Sequence, residues 1–154
     1  MPFVIPNTSD ALVPGQASPD KVDVDVITGG SGLSGVLTGC AASVTGTNMT
    51  VTIAAGTVII AGRAADVAAG DVTIGAAHAT LARYDLVTVN TSGTKAVTAG
   101  TAATNPVFPA IPADSVVLHA VYVPAADTAI ASNQITDKRL VVVLQTDYLC
   151  YFGF

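Results

Sequence analysis

The sequence contains no tryptophan and no glutamate, so all eleven of its acidic residues are aspartates. Lysine and arginine together number six, and charged residues make up 11% of the chain, against roughly 25% in a typical soluble domain. Exposed helices are usually built with Glu, Lys, Arg and Gln, so this composition argues against a helical surface. The six basic residues are scattered and the net charge is -5, which gives no electrostatic basis for binding nucleic acid.

Long apolar runs are also missing. No run approaches the ~18 residues that span a bilayer, so we expect no membrane partner. The first twenty residues contain no Lys or Arg and no continuous apolar segment, so no secretory signal is predicted. The chain has two cysteines, Cys40 and Cys150, which stand far apart in the sequence. Two free, buried thiols are the favoured interpretation.

The residues that are abundant favour strands. Thr, Val and Ile suit pleated sheets, and a length of 154 residues suits one domain with one core. We therefore predict an all-β fold over residues 21–147, either an antiparallel β-sandwich or a jelly-roll-like barrel. An extended N-terminal arm (1–20) and an aromatic C-terminal tail (148–154) flank it. A surface this poor in charge also predicts an oligomer or a shell component.

The clearest local pattern is a hairpin followed by a long strand. Residues 83–90 and 95–98 form strand-like runs on either side of a Gly-containing turn at 91–94. A proline-rich crossing at 105–112 then leads into residues 115–123, the longest strand-like run in the chain. These elements are predicted to form the centre of the fold.

Shorter segments complete the strand predictions. Residues 21–27 alternate apolar and charged side chains, which indicates a half-exposed strand. Residues 48–53 alternate as well, and Ala-Ala-Gly turns at 54–56 and 68–70 predict successive hairpins. The other predictions are a short strand at 36–44, a loop or one helical turn at 75–81, a polar loop with room for a short helix at 129–136, and a short buried strand at 140–144.

Patterns that would carry catalysis or bind a cofactor are missing or out of context. Residues 30–35 match the dinucleotide-binding glycine pattern, but no amphipathic helix and no suitably spaced acidic residue follow. No Gly-Xaa-Ser-Xaa-Gly elbow occurs, and His78 and His119 have no catalytic context. Two histidines and two distant cysteines give no zinc spacing, and Asp23 and Asp25 suit a solvated face better than a calcium site. We expect no enzyme activity, no metal and no cofactor.

Five strand residues have alternative interpretations. His119 interrupts an apolar run, as a core or interface histidine does. Tyr84 and Tyr122 suit a core or a subunit interface better than a sugar-binding platform. Arg83 and Asp85 lie two apart and share one strand face, where they can form ion pairs across strands or between subunits. A surface pair of this kind contributes only ~0–1 kcal/mol.

A series of segments in a fixed order resembles a domain common in bacteriophage virion proteins, including tail-fibre, baseplate-associated and small capsid-surface proteins. These segments lie between about residue 39 and Arg139, a stretch that covers about two thirds of the chain. They are 49–58 (MTVTIAAGTV), 83–89 (RYDLVTV), 99–106 (AGTAATNP), 109–113 (PAIPA), and 121–124 (VYVP) with 135–139 (ITDKR). The resemblance implies a β-rich structural domain, often homotrimeric, with no catalytic residues to carry over.

The resemblance implies a virion structural protein, assembled in the host cytoplasm. Because no shaft or receptor-binding tip follows Arg139, we favour a capsid decoration (cement) protein that binds copies of itself and the major capsid protein. A tail, baseplate or short tail-fibre component, with tail or baseplate partners, is the first alternative, and a carbohydrate-binding module is the second. The candidate partner-contact residues are apolar side chains of the arm and the tail: Phe3, Val4, Ile5, Tyr151, Phe152 and Phe154.

Overall fold

Ten strands and one 3-10 turn make up the described part of the chain. The computed structural model describes residues 32–143. The 3-10 turn, Ser132–Gln134, comes directly before the last strand. The strands are β1 (Gly35–Gly39), β2 (Ala42–Ser43), β3 (Thr50–Ile53), β4 (Gly56–Ile60), β5 (Arg63–Val67), β6 (Gly70–Thr73), β7 (Arg83–Asn90), β8 (Lys95–Ala99), β9 (Ser115–Val123) and β10 (Ile135–Asp137).

The strands form three antiparallel sheets, with the orders β1-β4-β5, β2-β3-β6 and β10-β9-β7-β8. The predicted all-β fold is confirmed, and the arrangement is that of an antiparallel sandwich rather than of a helical or mixed protein. The predicted arm at 1–20, the predicted strand at 21–27 and the predicted tail at 148–154 lie outside the described residues.

The two three-stranded sheets are one antiparallel ribbon that bends at a corner. Strands β1, β4 and β5 continue across the corner as β2, β3 and β6, and each pairing is kept on both sides. Gly39 enters the corner with a φ of 66°, and a Cβ there would overlap the Ala55 carbonyl oxygen, so this position requires glycine. The backbone N–H of Cys40 donates to the same oxygen (3.2 Å). The corner consists of residues 40–41, 54–55 and 68–69.

The corner corrects two predictions. Residues 36–44 are not one strand, because the chain bends between β1 and β2. The Ala-Ala-Gly segments at 54–56 and 68–70 are not hairpin turns, because β3 and β4, like β5 and β6, belong to different sheets. The tight turn of the ribbon lies instead at Ala61 and Gly62, which have φ values of 50° and 77°. Two adjacent positive φ angles are typical of a two-residue hairpin turn.

The central hairpin and the long strand lie where they were predicted. Strands β7 and β8 pair across the 91–94 turn, and β9 pairs with the other edge of β7. The register of β7 and β9 shifts after Val87, which faces His119, so that Thr88 faces Val117. Leu118 is thus an extra residue in β9, a β-bulge. The bulge allows two consecutive side chains, those of Leu118 and His119, to be buried.

The core fills the space between the ribbon and the four-stranded sheet. Its largest fully buried side chains include Ile53, Ile74, Leu118 and Ile130. Burial of a side chain of this size contributes about 1.5–3 kcal/mol relative to exposure. The ribbon and the sheet each supply apolar side chains to this core, so each covers the apolar face of the other.

One side of the sandwich is closed tightly. There the turn between β7 and β8 lies against β5, since a Cβ on Gly93 would overlap the Asp66 carbonyl oxygen. Gly93 also has a φ of 74°, so glycine is required at this close approach. Lys95 donates a hydrogen bond to the Ala68 carbonyl oxygen. These contacts join β8 to the β5/β6 edge of the ribbon.

The chain after β10 crosses to the other edge of the ribbon, where it lies beside β1. A further prediction is wrong here. Val36 N donates to Leu140 O (2.7 Å), and Val142 N donates to Val36 O (2.9 Å). Leu140, Val141 and Val143 are nevertheless exposed. The predicted buried strand at 140–144 is therefore wrong for its described residues, since this segment makes a single bridge to β1 and none of residues 32–143 covers its exposed side chains.

Candidate functional site

Three aromatic rings pack together on the outer face of the four-stranded sheet. Tyr84 of β7 and Tyr122 of β9 lie directly opposite each other in the register. Their ring centroids are 5.2 Å apart, and the ring planes meet at 51°. Phe108, from the proline-rich crossing, packs on Tyr84 with centroids 4.6 Å apart and an angle of 43°. Tilted aromatic pairs at these distances attract one another beyond simple area burial, so the three rings form a rigid cluster.

An apolar groove of about 360 Å³ opens beside this cluster. Phe108 is 50% exposed, Ile111 is 59% exposed and Tyr122 is 37% exposed. The ammonium of Lys138 lies 5.4 Å from the Phe108 ring centroid, a cation–π geometry. Exposed apolar side chains grouped in this way are typical of a protein-binding surface. We call this surface the outer groove; its lining residues are Leu86, Phe108, Pro109, Ile111, Val117 and Lys138.

The ring geometry gives little support to a sugar-binding platform. A flat platform needs coplanar rings, whereas Tyr84 and Tyr122 meet at 51°. A polar depression of about 540 Å³ lies beside Tyr122 and includes Asp127 and Gln134. The Asp127 carboxylate accepts hydrogen bonds from Thr128 N (2.8 Å) and from the Gln134 side-chain amide (2.5 Å). These groups are engaged in holding the loop after β9, so the outer groove is the better candidate site.

A buried ion pair holds the strand behind the aromatic cluster. The Arg83 Nε donates to Asp85 Oδ1 (2.9 Å), and Nη2 donates to Asp85 Oδ2 (3.1 Å). The guanidinium also donates to the carbonyl oxygens of Ala76 (2.7 Å) and Gly75 (2.6 Å), and Asp85 Oδ1 accepts from Gly100 N (3.0 Å). The interpretation as a surface pair is wrong, because the 75–76 loop and Gly100 help to cover both side chains, which are buried.

His119 is a buried histidine with one ring nitrogen bonded and one bare. Nε2 lies 2.8 Å from the Cys40 carbonyl oxygen. A carbonyl oxygen only accepts, so Nε2 carries the proton, and Nδ1 of the neutral ring is an acceptor. Nδ1 has no hydrogen-bond partner among the described residues. The carboxylate oxygen Asp137 Oδ1, which is itself an acceptor, lies 3.9 Å from Nδ1.

The electrostatics around His119 explain its charge state. Burial lowers the pKa of the His119 imidazole, and this effect outweighs the opposing influence of the Cys40 hydrogen bond and the Asp137 carboxylate. The Arg139 guanidinium donates to both carboxylate oxygens of Asp137 and holds the pKa of that carboxyl well below its usual range. Burial also raises the pKa of the free Cys40 thiol. The ring is thus neutral near pH 7 and faces a charged carboxylate.

A pocket of about 210 Å³ lies next to this histidine. It opens between β2 on the ribbon and β10 on the four-stranded sheet. The Arg139 guanidinium partly closes it by donating to the Gly39 carbonyl oxygen (2.6 Å). We call this opening the seam pocket; its lining residues are Ala41, Ala42, Ser43, Val44, His119, Ser132, Ile135, Asp137 and Arg139.

The predicted partner-contact residues and the observed groove are different sets. Phe3, Val4, Ile5, Tyr151, Phe152 and Phe154 all lie outside the described residues, so their role stays a prediction. The outer groove was missed because Phe108 and Ile111 lie in the crossing, which was interpreted only as a connection. The sequence did contain a signal for the groove, namely two large apolar side chains among prolines. A proline-rich segment forms no regular strand or helix that could bury such side chains.

The described part of the chain contains no grouping of three His, Cys, Asp or Glu side chains that could bind a metal ion. Within residues 32–143, no helix has the length and apolar character needed to cross a membrane. Comparisons with protein-family profiles, curated proteins and solved structures find no match to this chain.

Proposed function

We propose that this chain is a structural protein of a bacteriophage virion, and specifically a capsid decoration protein that binds copies of itself and the major capsid protein. The observation that carries the proposal is the outer groove. In this groove Phe108 and Ile111 of the crossing expose apolar surface, and a partner that covers it gains about 1.5–3 kcal/mol for each large side chain buried.

The physical character of the groove suits assembly better than chemistry. Its lining is apolar except for the ammonium of Lys138, so it has no acid–base pair or nucleophile to offer a substrate. The buried Arg83–Asp85 pair fixes the strand that carries Tyr84, which limits the entropy lost when a partner binds. A preorganised, apolar and weakly charged face is therefore what a shell component needs.

A homotrimer on the capsid would multiply such contacts. Each copy brings one groove, and three linked grooves bind with an avidity that exceeds any single contact. The segments that resemble phage virion domains include four of the six residues that line the groove, namely Leu86, Pro109, Ile111 and Lys138. This overlap favours a virion role over an unrelated binding module.

The test is a binding experiment with undecorated capsids and two matched variants. Ile111→Asp puts a charge into the outer groove, whereas Val107→Asp puts the same charge at a neighbouring position that is 73% exposed and does not line the groove. We expect Ile111→Asp to lose capsid binding and Val107→Asp to keep it. Equal binding by both variants would contradict the proposal.

Fractionation of virions distinguishes the head from the tail. A decoration protein is found with purified heads, at a stoichiometry set by the capsid lattice. Recovery with tails or baseplates would instead support the tail, baseplate or short tail-fibre alternative. Binding to a defined glycan, lost on Tyr122→Ala, would support the carbohydrate-binding alternative.

A further inference from the structure

Two strand edges face each other across the seam pocket without a strand partner in residues 32–143. Strand β2 is last in the order β2-β3-β6, and β10 is last in the order β10-β9-β7-β8. Ala42 and Ser43 of β2 line one side of the pocket, and Ile135 and Asp137 of β10 line the other. Strand edges of this kind carry backbone groups that pair readily with another extended segment.

The apolar floor of the seam pocket is incompletely covered. Ala42, Val44 and Ile135 pack against the core, yet they are only partly buried. On the opposite side of the sandwich, by contrast, Gly93 approaches the Asp66 carbonyl oxygen closely. The seam is thus the place where one further strand would complete the core.

One buried acceptor in the seam lacks a hydrogen-bond donor among residues 32–143. His119 Nδ1 is buried and bare, and the Asp137 oxygen 3.9 Å away is an acceptor as well. Asp137 Oδ1 already accepts from Arg139 N and Nε, so His119 Nδ1 is the atom that an added donor would satisfy. An added strand brings backbone N–H groups to this location.

We propose that the seam is a strand-binding site and that its occupant is residues 21–27 of the same chain. Those residues read Lys-Val-Asp-Val-Asp-Val-Ile, so a strand would present Val22, Val24 and Val26 on one face. These valines match the partly covered floor, while Lys21, Asp23 and Asp25 point to solvent. The inference concerns the fold's own closure and does not depend on the proposed virion role.

The segment between residues 21–27 and Gly32 is long enough to reach the seam pocket, and it leads to the free edge of β2. Gly32 lies against the β4–β5 turn, since a Cβ there would overlap the Ala61 backbone. Val22 precedes Gly32 by ten positions and can reach up to ~35 Å from it. The outer edge of β1 is already bonded to Leu140 and Val142 at Val36, so the free edge along this path is that of β2.

A pair of serine substitutions in the full chain tests the face that the strand presents. Val24→Ser removes an inward side chain, and Asp25→Ser changes its outward neighbour. We expect Val24→Ser to raise hydrogen exchange at Ala42, Val44 and Thr136 by roughly tenfold, as lost burial of one valine predicts. Asp25→Ser should leave exchange unchanged. Equal effects from the two variants, or none from Val24→Ser, would overturn the proposal.

A spin label provides a readout that does not depend on stability. A nitroxide on Asp23→Cys, in a chain that also carries Cys150→Ser, should broaden the amide signals of Ser43 and Thr136. The amides of β8, on the far edge of the sheet, should stay sharp. The broadening should persist when labelled chains are diluted into unlabelled ones. Loss of broadening on dilution would assign the strand to a second copy, and broadening at Ile111 would assign it to the outer groove; either result refutes the proposal.

Discussion

Arg83 and Asp85 form a bidentate ion pair within a single strand, and both side chains are buried. Asp137 and Arg139 have the same spacing and also form a forked pair, but the Asp137 side chain is 53% exposed. The chain therefore contains an internal comparison between a buried and a surface pair. Burial, and not spacing, decides what each pair contributes.

We expect Asp85→Ala to lower the free energy of unfolding by about 3–5 kcal/mol, because it leaves the Arg83 guanidinium buried without its charge partner. The double variant Arg83→Met, Asp85→Leu should be less destabilised, since no buried charge remains. Asp137→Ala is the matched control and should cost about 0–1 kcal/mol. Urea unfolding curves measure all three, and a similar loss for Asp85→Ala and Asp137→Ala would contradict the argument.

The stability of the protein should fall as the pH is lowered through the range in which histidine titrates. Burial lowers the pKa of His119 below its usual 6.5, so the unfolded chain takes up the proton first. Stability is therefore full above about pH 6.5 and decreases from there until the pH passes the pKa of the folded protein. The Asp137 carboxyl, whose pKa is held well below its usual range by Arg139, stays charged throughout this window.

Urea midpoints at about pH 7.5 and about pH 5.5 measure this effect. His119→Gln is the control, because its side-chain amide can donate to the Cys40 carbonyl oxygen and does not titrate. The variant keeps every other titratable group, so its midpoint should change less between the two pH values. A wild-type midpoint that rises as the pH falls would refute the assignment of a neutral, buried ring.

Gly39 and Gly46 both have a positive φ, but only Gly39 also lies too close to another backbone atom to accept a Cβ. Their φ values are 66° and 73°, so Ala at either position costs about 1–2 kcal/mol of backbone strain. A Cβ on Gly39 would also overlap the Ala55 carbonyl oxygen, whereas a Cβ on Gly46 meets no atom within 4 Å. We expect Gly46→Ala to fold with that modest loss and Gly39→Ala to lose several times more. Thermal melts of the two variants provide the measurement, and equal losses would mean that the corner can adjust.

Deletion of residues 1–20 should leave the domain folded and remove capsid binding. The deleted segment carries Phe3, Val4 and Ile5, the proposed contacts of the arm, and precedes the first predicted strand. An unchanged melting temperature together with lost binding to undecorated capsids is the expected result. Retained binding would count against a decoration protein that binds the capsid through its arm.

The strands with strong local signals could be predicted from the sequence. Residues 83–90 and 115–123 contain enough consecutive strand-forming side chains that their extents match β7 and β9. The hairpin between β7 and β8 followed from a Gly-containing turn between two such runs. Strand-forming side chains and turn residues that are close in sequence determine these features.

The errors share one physical cause, which is that contacts between distant segments were needed. Ala-Ala-Gly at 54–56 has the composition of a turn, but pairing of both β3 and β4 with the following strands makes it a bend. The burial of Arg83 depends on the 75–76 loop, which no strand pattern places. The outer groove forms because the crossing packs over Tyr84, and strand propensities do not predict that packing.

The two-residue turn at Ala61 and Gly62 has a kinetic consequence. Pairing that starts at this turn can extend through β4 and β5 and then past the corner into β3 and β6, and every step joins residues close in sequence. Short-range pairings form early, because little chain entropy is lost before each contact is gained. Strand β9 meets β7 only after a connection of more than twenty residues has closed. Refolding should therefore show protection of the ribbon amides before those of β9, with the late step sealing the hydrophobic interior.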